Sequence, residues 1–141
     1  MMDEHRFEVI EHTADKGIAA YGDTFAEALQ NVAYGMFSLM ADLARYKPSE
    51  ARTVELSADD KVSLLKAWLQ ELLFIFEVER VLPVEFHVRE VSDTRLRADV
   101  RLRPFGPDIE WVGSQVKAVT YHGMRVEELD HGYRVQAIVD V

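Results

Sequence analysis

Cysteine is absent from the 141 residues, which removes disulfides, thiolate metal sites, thiol nucleophiles and dithiol redox chemistry together. A stapled secreted scaffold is excluded, and a reducing cytoplasm is the expected compartment. Long apolar runs are missing too. The longest, Leu72-Leu73-Phe74-Ile75-Phe76, falls far short of the roughly 20 residues a helix needs to cross a bilayer, so no membrane role is expected. The opening Met1-Met2-Asp3-Glu4-His5-Arg6 has neither the basic start nor the apolar stretch of a signal peptide. Positive charge is scarce: 16 Lys and Arg against 25 Asp and Glu leave a formal charge of −9. That balance argues against strong direct binding of nucleic acid through its phosphates, and it is compatible with a protein partner that is itself basic. Phosphate-cradling loops, dinucleotide fingerprints and a Gly-x-Ser-x-Gly elbow are all lacking. Five histidines are scattered without the helical spacing of a zinc site.

What is there suits one folded domain over residues 1–141. Hydrophobic residues make up 48% and charged residues 29%, and no Gly/Ser linker, repeat or low-complexity tract divides the chain. Phe7 to Glu11 and Gly17 to Tyr21 read as short strands around a polar turn. Thr24 with Glu27 forms a capping-box signature. The residues Phe25, Ala28, Leu29, Val32, Met36, Phe37 and Met40 then follow at helical spacing. Thr53 to Leu56 predicts a strand. Ser57-Ala58-Asp59-Asp60 caps a second helix, whose apolar side holds Val62, Leu65, Trp68, Leu69, Leu72 and Phe76. Phe74 and Phe76 are expected in the core with Trp68. From Pro83 onward the period becomes two: Val84, Phe86, Val88, then Leu96, Ala98, Val100, Leu102, with Ser92-Asp93-Thr94 as the hairpin turn. Pro104 to Gly113 is a loop, and strands from Val116 toward Val126 and from Tyr133 to Val139 close the chain around Asp130-His131-Gly132. The predicted class is α+β: a mostly antiparallel sheet of about six or seven strands with two main helices packed on one face.

Three features bear on chemistry. Arg95, Arg97, Arg101 and Arg103 line one strand and are expected to form a solvated face that protects an edge. Trp111 sits in the irregular loop, where contact and simple packing are alternatives. His12 and Asp15 share a tight turn, and Asp140 closes the apolar stretch Ala137-Ile138-Val139 beside Val141. Two carboxylates with the carboxylate of the last residue would suit a hard divalent cation, which takes oxygen ligands, if the fold brought them together. Lys117 lies in Val116-Lys117-Ala118-Val119-Thr120-Tyr121-His122, either on a solvated face or as a counter-ion to these acids.

Together these residues resemble the archease family. The resemblance is carried by Glu11-His12-Thr13-Ala14-Asp15 with Gly17 and Gly22, by Gly35-Met36-Phe37-Ser38-Leu39-Met40, and by Trp68-Leu69-Gln70-Glu71-Leu72-Leu73. It continues in the strand Val116 to His122 and the ending Asp140-Val141, and so spans nearly the whole chain. It implies a cytoplasmic protein cofactor, not an enzyme in its own right. Such a protein activates the GTP-dependent RNA-splicing ligase of tRNA splicing, promoting guanylylation of the ligase and multiple turnover. It also implies a divalent metal ion, Ca²⁺ or Mg²⁺/Mn²⁺, held by Asp15, Asp140 and Val141, with Asp15, Asp140 and Lys117 critical for activation and His12 a neighbour. One stretch departs from the family pattern: Asp108-Ile109-Glu110-Trp111 stands where relatives often carry a basic residue or histidine. Two other readings compete. A self-sufficient metal-dependent hydrolase would use the same acids to activate water. A chaperone-like interaction module would bind through exposed apolar surface.

Overall fold

The computed structural model describes residues 6–11, 15–113 and 115–141. Strands β1 (Phe7–Glu11) and β2 (Asp15–Gly22) precede helix α1 (Phe25–Ser38). A short 3-10 turn at Leu43–Arg45 leads to β3 (Glu50–Ser57), and helix α2 (Lys61–Glu79) follows. The remainder is β4 (Val81–Val91), β5 (Arg95–Pro104), β6 (Ala118–Leu129) and β7 (Gly132–Asp140). The α+β class is as predicted, but the strands divide into two antiparallel sheets. One has the order β1-β2-β7-β6 and the other β3-β5-β4.

The helices start where their caps place them. Thr24 Oγ1 accepts the Glu27 N–H at 3.1 Å, and the Glu27 carboxylate accepts the Asp23 N–H at 2.9 Å. Asp60 Oδ1 accepts the Ser63 N–H at 2.8 Å, which holds the Asp60 carboxyl below its usual range. Helix α2 ends on Arg80 in the left-handed region, φ 55°. Helix α1 packs on β2, β4 and β7, and α2 on β3, β4 and β6, so each helix touches both sheets. Trp68 ties the layers together. It is fully buried, and its indole Nε1–H donates to the Leu29 carbonyl of α1 at 2.9 Å. Phe76 is buried as expected, whereas Phe74 is 59% exposed. An unbroken apolar run on a helix cannot bury every residue, because successive side chains turn about 100° apart.

The division into two sheets follows from the connections. Strands β4 and β5 join through the predicted hairpin, where Ser92 Oγ accepts the Thr94 and Arg95 N–H groups. Strand β3 lies alongside β5, pairing Glu55 with Arg97 and Leu56 with Leu96. The closing hairpin β6–β7 instead returns to β2, pairing Gly22 with Tyr133 and Asp15 with Asp140. Gly132 permits this return. Its φ is +136°, and a Cβ there would fall 2.3 Å from the Gly22 carbonyl oxygen.

A candidate site at the end of the four-stranded sheet

Strand register decides which sequence-predicted residues meet. Asp15 is the first residue of β2 and Asp140 the last of β7, and they are direct cross-strand partners. Residues in such a pair project to the same face. The neighbouring pairs Ile18↔Ala137 and Ala20↔Val135 are buried toward the helices, so Asp15 and Asp140 share the face turned away from them. Ala118, the first residue of β6, pairs with Asp140 from the other side. Just before it, the Lys117 N–H donates to the Asp140 carbonyl at 2.8 Å, and the Lys117 side chain is exposed. Val116 is fully buried, and its N–H points to Met40 Sδ at 3.4 Å. The buried valine anchors the strand entry and the exposed lysine sits one residue on, beside the acids. Val141 follows Asp140 and is partly buried.

Asp15, Asp140, Lys117 and Val141 therefore gather at one end of one sheet, although they lie up to 126 positions apart in the chain. Among the described residues none of the three charged side chains forms an ion pair. Two carboxylates directly opposite each other repel, and a pair left in that state is destabilising by itself. Carboxylate oxygens suit a hard divalent cation better than zinc, which favours thiolate and imidazole. No group of three His, Cys, Asp or Glu able to hold a metal occurs among the described residues. His12 lies outside the described residues.

Beside the acids, β6 departs from a regular strand. Thr120 pairs with Ile138, and the next pair is Arg125 with Gln136, so β6 advances five residues while β7 advances two. Gly123 sits in this bulge at φ +74°, and a Cβ there would fall 2.8 Å from Ile138 Cγ1. Gln136 Nε2 donates to the Gly123 carbonyl at 2.9 Å, and the His122 N–H donates to Thr120 Oγ1 at 3.2 Å. A glycine inside a strand pattern was the available signal for it.

The loop that departs from the family pattern is occupied elsewhere. Asp108 takes two hydrogen bonds from Arg103 at 2.6 and 2.7 Å, and Glu110 one from Arg45 at 3.0 Å. These bonds, and the guanidinium charges behind them, hold both carboxyls below the usual range. Ile109 is buried. Both acids are thus committed to local arginines.

A model of the Archease protein family matches residues 7–141. The chain belongs to the archease family. Protein archease of Methanosarcina acetivorans is 34% identical over 140 residues, 96% of each chain. Protein archease of Methanopyrus kandleri is 36% identical over 138 residues, 96% of this chain and 99% of its own. The solution structure of a Methanobacterium thermoautotrophicum protein superposes with a TM-score of 0.86 at 36% identity, over 97% of this chain and 99% of that one. A Thermotoga maritima protein described as an archease and possible chaperone has a TM-score of 0.64 at 18% identity, covering 95% and 96%, and supports the archease fold alone. No helix among the described residues is long and apolar enough to cross a membrane.

Proposed function

We propose that this archease is a protein cofactor of a GTP-dependent RNA-splicing ligase, promoting guanylylation of the ligase and its multiple turnover in tRNA splicing. The observation that carries this reading is the register that sets Asp15 opposite Asp140 with Lys117 alongside. A like-charged pair that forms no ion pair among the described residues gains from a bound cation. Asp15, Asp140 and an oxygen of Val141 would hold a divalent ion, Ca²⁺ or Mg²⁺/Mn²⁺. Such an ion neutralises charge on phosphate oxygens when bound at a phosphoryl-transfer site. The chain's own part is to bring the two carboxylates to an exposed sheet end and to orient them by register. Lys117 places a cation beside them, where it can meet an anionic group of the partner. The −9 charge steers the protein toward a basic surface and raises the encounter rate more than the final affinity.

The test is RNA joining by the ligase from the same source, with RNA in excess, with and without this protein. The expected result is conversion of a single-turnover burst into sustained turnover. No change, with a ligase competent for one turnover and GTP present, overturns the reading. Release of phosphate from GTP by the protein alone would point instead to a hydrolase.

A further inference from the structure

Four of the seven large hydrophobic residues that are exposed among the described residues fall in two pairs, one on α2 and one in the loop after β5. Phe74 and Val78 are 59% and 62% exposed, and Trp111 and Val112 are 47% and 50% exposed. Phe74 and Val78 are four apart on α2 and so share a face. Glu77 lies between them and also lines a groove of about 420 Å³, with Met40, Phe76, Arg80, Phe105 and Trp111. Three rings build its wall: Phe76–Phe105, Phe76–Trp111 and Phe105–Trp111 have centroids 5.2, 5.8 and 5.0 Å apart, all edge to face. Trp111 keeps nearly half its surface open although it touches two rings. A groove walled by aromatic rings and opened by the exposed Trp111 and Val112 is apolar surface that another molecule can cover.

Charge narrows the occupant. Glu71 and Glu77 flank Phe74 at three residues on either side, and neither forms an ion pair among the described residues. Arg80, which forms no ion pair among the described residues, lies with its guanidinium 5.1 Å from the Phe105 ring centre. The exposed stripe of α2 therefore alternates apolar and acidic groups. Its complement is a protein surface with an apolar anchor flanked by lysine or arginine. Position adds a second argument. The loop that carries Trp111 and Val112 runs on through Gln115, which lines the groove, to Lys117, which bonds to Asp140. Gln115 and Lys117 are two residues apart, at most about 7 Å along the chain. Groove and acidic sheet end thus border one another.

We infer that the groove between α2 and the loop after β5 is a docking surface for a basic segment of the protein partner, which seats an apolar side chain against Phe76, Phe105 and Trp111. This rests on the reading that the chain acts through a partner ligase, and it assigns affinity to the groove and activation to the acids. The probe is that purified ligase, titrated in a calorimeter at low and high salt. Glu77→Lys and Val112→Glu alter exposed side chains that line the groove, so melting curves should match the wild type. The expected result is about tenfold or greater weakening of binding for each variant, with wild-type affinity falling as salt rises and Glu77→Lys flattening that dependence. Asp15→Asn with Asp140→Asn should keep the wild-type affinity while losing activation. If both groove variants bind within twofold of wild type, the docking surface is wrong and the cofactor reading stands. If wild-type protein does not bind the ligase at all, both fall. A concentration-dependent dimer in sedimentation that Val112→Glu dissolves would make a second copy of this chain the occupant and overturn the inference. Weakening by Val112→Glu with no salt dependence would overturn the basic partner.

Discussion

On the three-stranded sheet Arg97 reaches Glu55 at 3.6 Å, Arg101 reaches Glu85 at 3.8 Å and Arg89 reaches Asp99 at 3.1 Å, each across to a neighbouring strand. At the end of the four-stranded sheet Asp15 faces Asp140, and no described cation forms an ion pair with either. Both arrangements lie on antiparallel sheets, and both come from charged residues at cross-strand positions. They differ in sign. Opposite charges across a ladder are mildly favourable, and each pair adds little because water and salt screen it. Like charges across a ladder cost free energy, and an arrangement that costs free energy persists where function uses it. The arginine strand β5 is the central strand of its sheet, paired with β3 on one side and β4 on the other, so its arginines form a solvated face of paired charges and not the protected edge expected from the sequence. The acid pair is the candidate site, although the arginines stand out more in the sequence.

Four experiments break or sharpen that contrast. The largest effect belongs to the acids. Asp15→Asn with Asp140→Asn should abolish activation of the ligase and remove any rise in melting temperature caused by Ca²⁺ or Mn²⁺. The melting temperature without metal should stay level or increase as the repulsion is relieved. A variant that still activates would return the acid pair to the status of surface decoration. Gly132→Ala should do the reverse. Its Cβ would meet the Gly22 carbonyl at the far end of β7 from Asp140. A loss of roughly 1–3 kcal/mol in urea unfolding is expected, with activation per folded molecule retained.

Acid provides a third, smaller effect. The Asp60, Asp108 and Glu110 carboxyls are all held low by hydrogen bonds in the folded chain. A depressed folded value contributes stability that is present above the unfolded value, about 3.9 for Asp and 4.3 for Glu, and is lost as pH falls through the folded one. Melting temperature should therefore drop as pH falls below about 4, and Asp60→Ala should narrow the difference between pH 6 and pH 3. The smallest effect is on the arginine face. Arg97→Ala should change stability by no more than about 0.5 kcal/mol and leave ligase activation unchanged. A large loss of activation there would mean that this face meets the partner.

Much of this was readable from residue order because it depends on neighbours in the chain. Thr24 and Asp60 cap helices as their spacing predicts, since a cap is satisfied within three or four residues. Period-two alternation located β4 and β5, because each strand buries one face. The bulge was signalled only by a glycine, Gly123, inside a strand pattern, and its extent, like the exposure of Phe74, was not readable. Each depends on what another strand or layer offers at that position. The groove was hidden for the same reason: Phe76, Phe105 and Trp111 are separated by 29 and then 6 positions, and Trp111 alone hinted at it.

Residue order by itself determined the absence of thiol chemistry, the −9 charge, two capped amphipathic helices and a set of half-buried strands, all from local spacing and composition. It also named Asp15, Asp140 and Lys117, through their resemblance to a family pattern. The tertiary structure decided that the strands form two sheets, that Asp15 stands opposite Asp140, and that Lys117 enters beside them. The physical reason is register. A ladder shifted by one residue would send one carboxylate to the buried face, and only the packing of Ile18, Ala137 and Val139 against the helices forbids that shift.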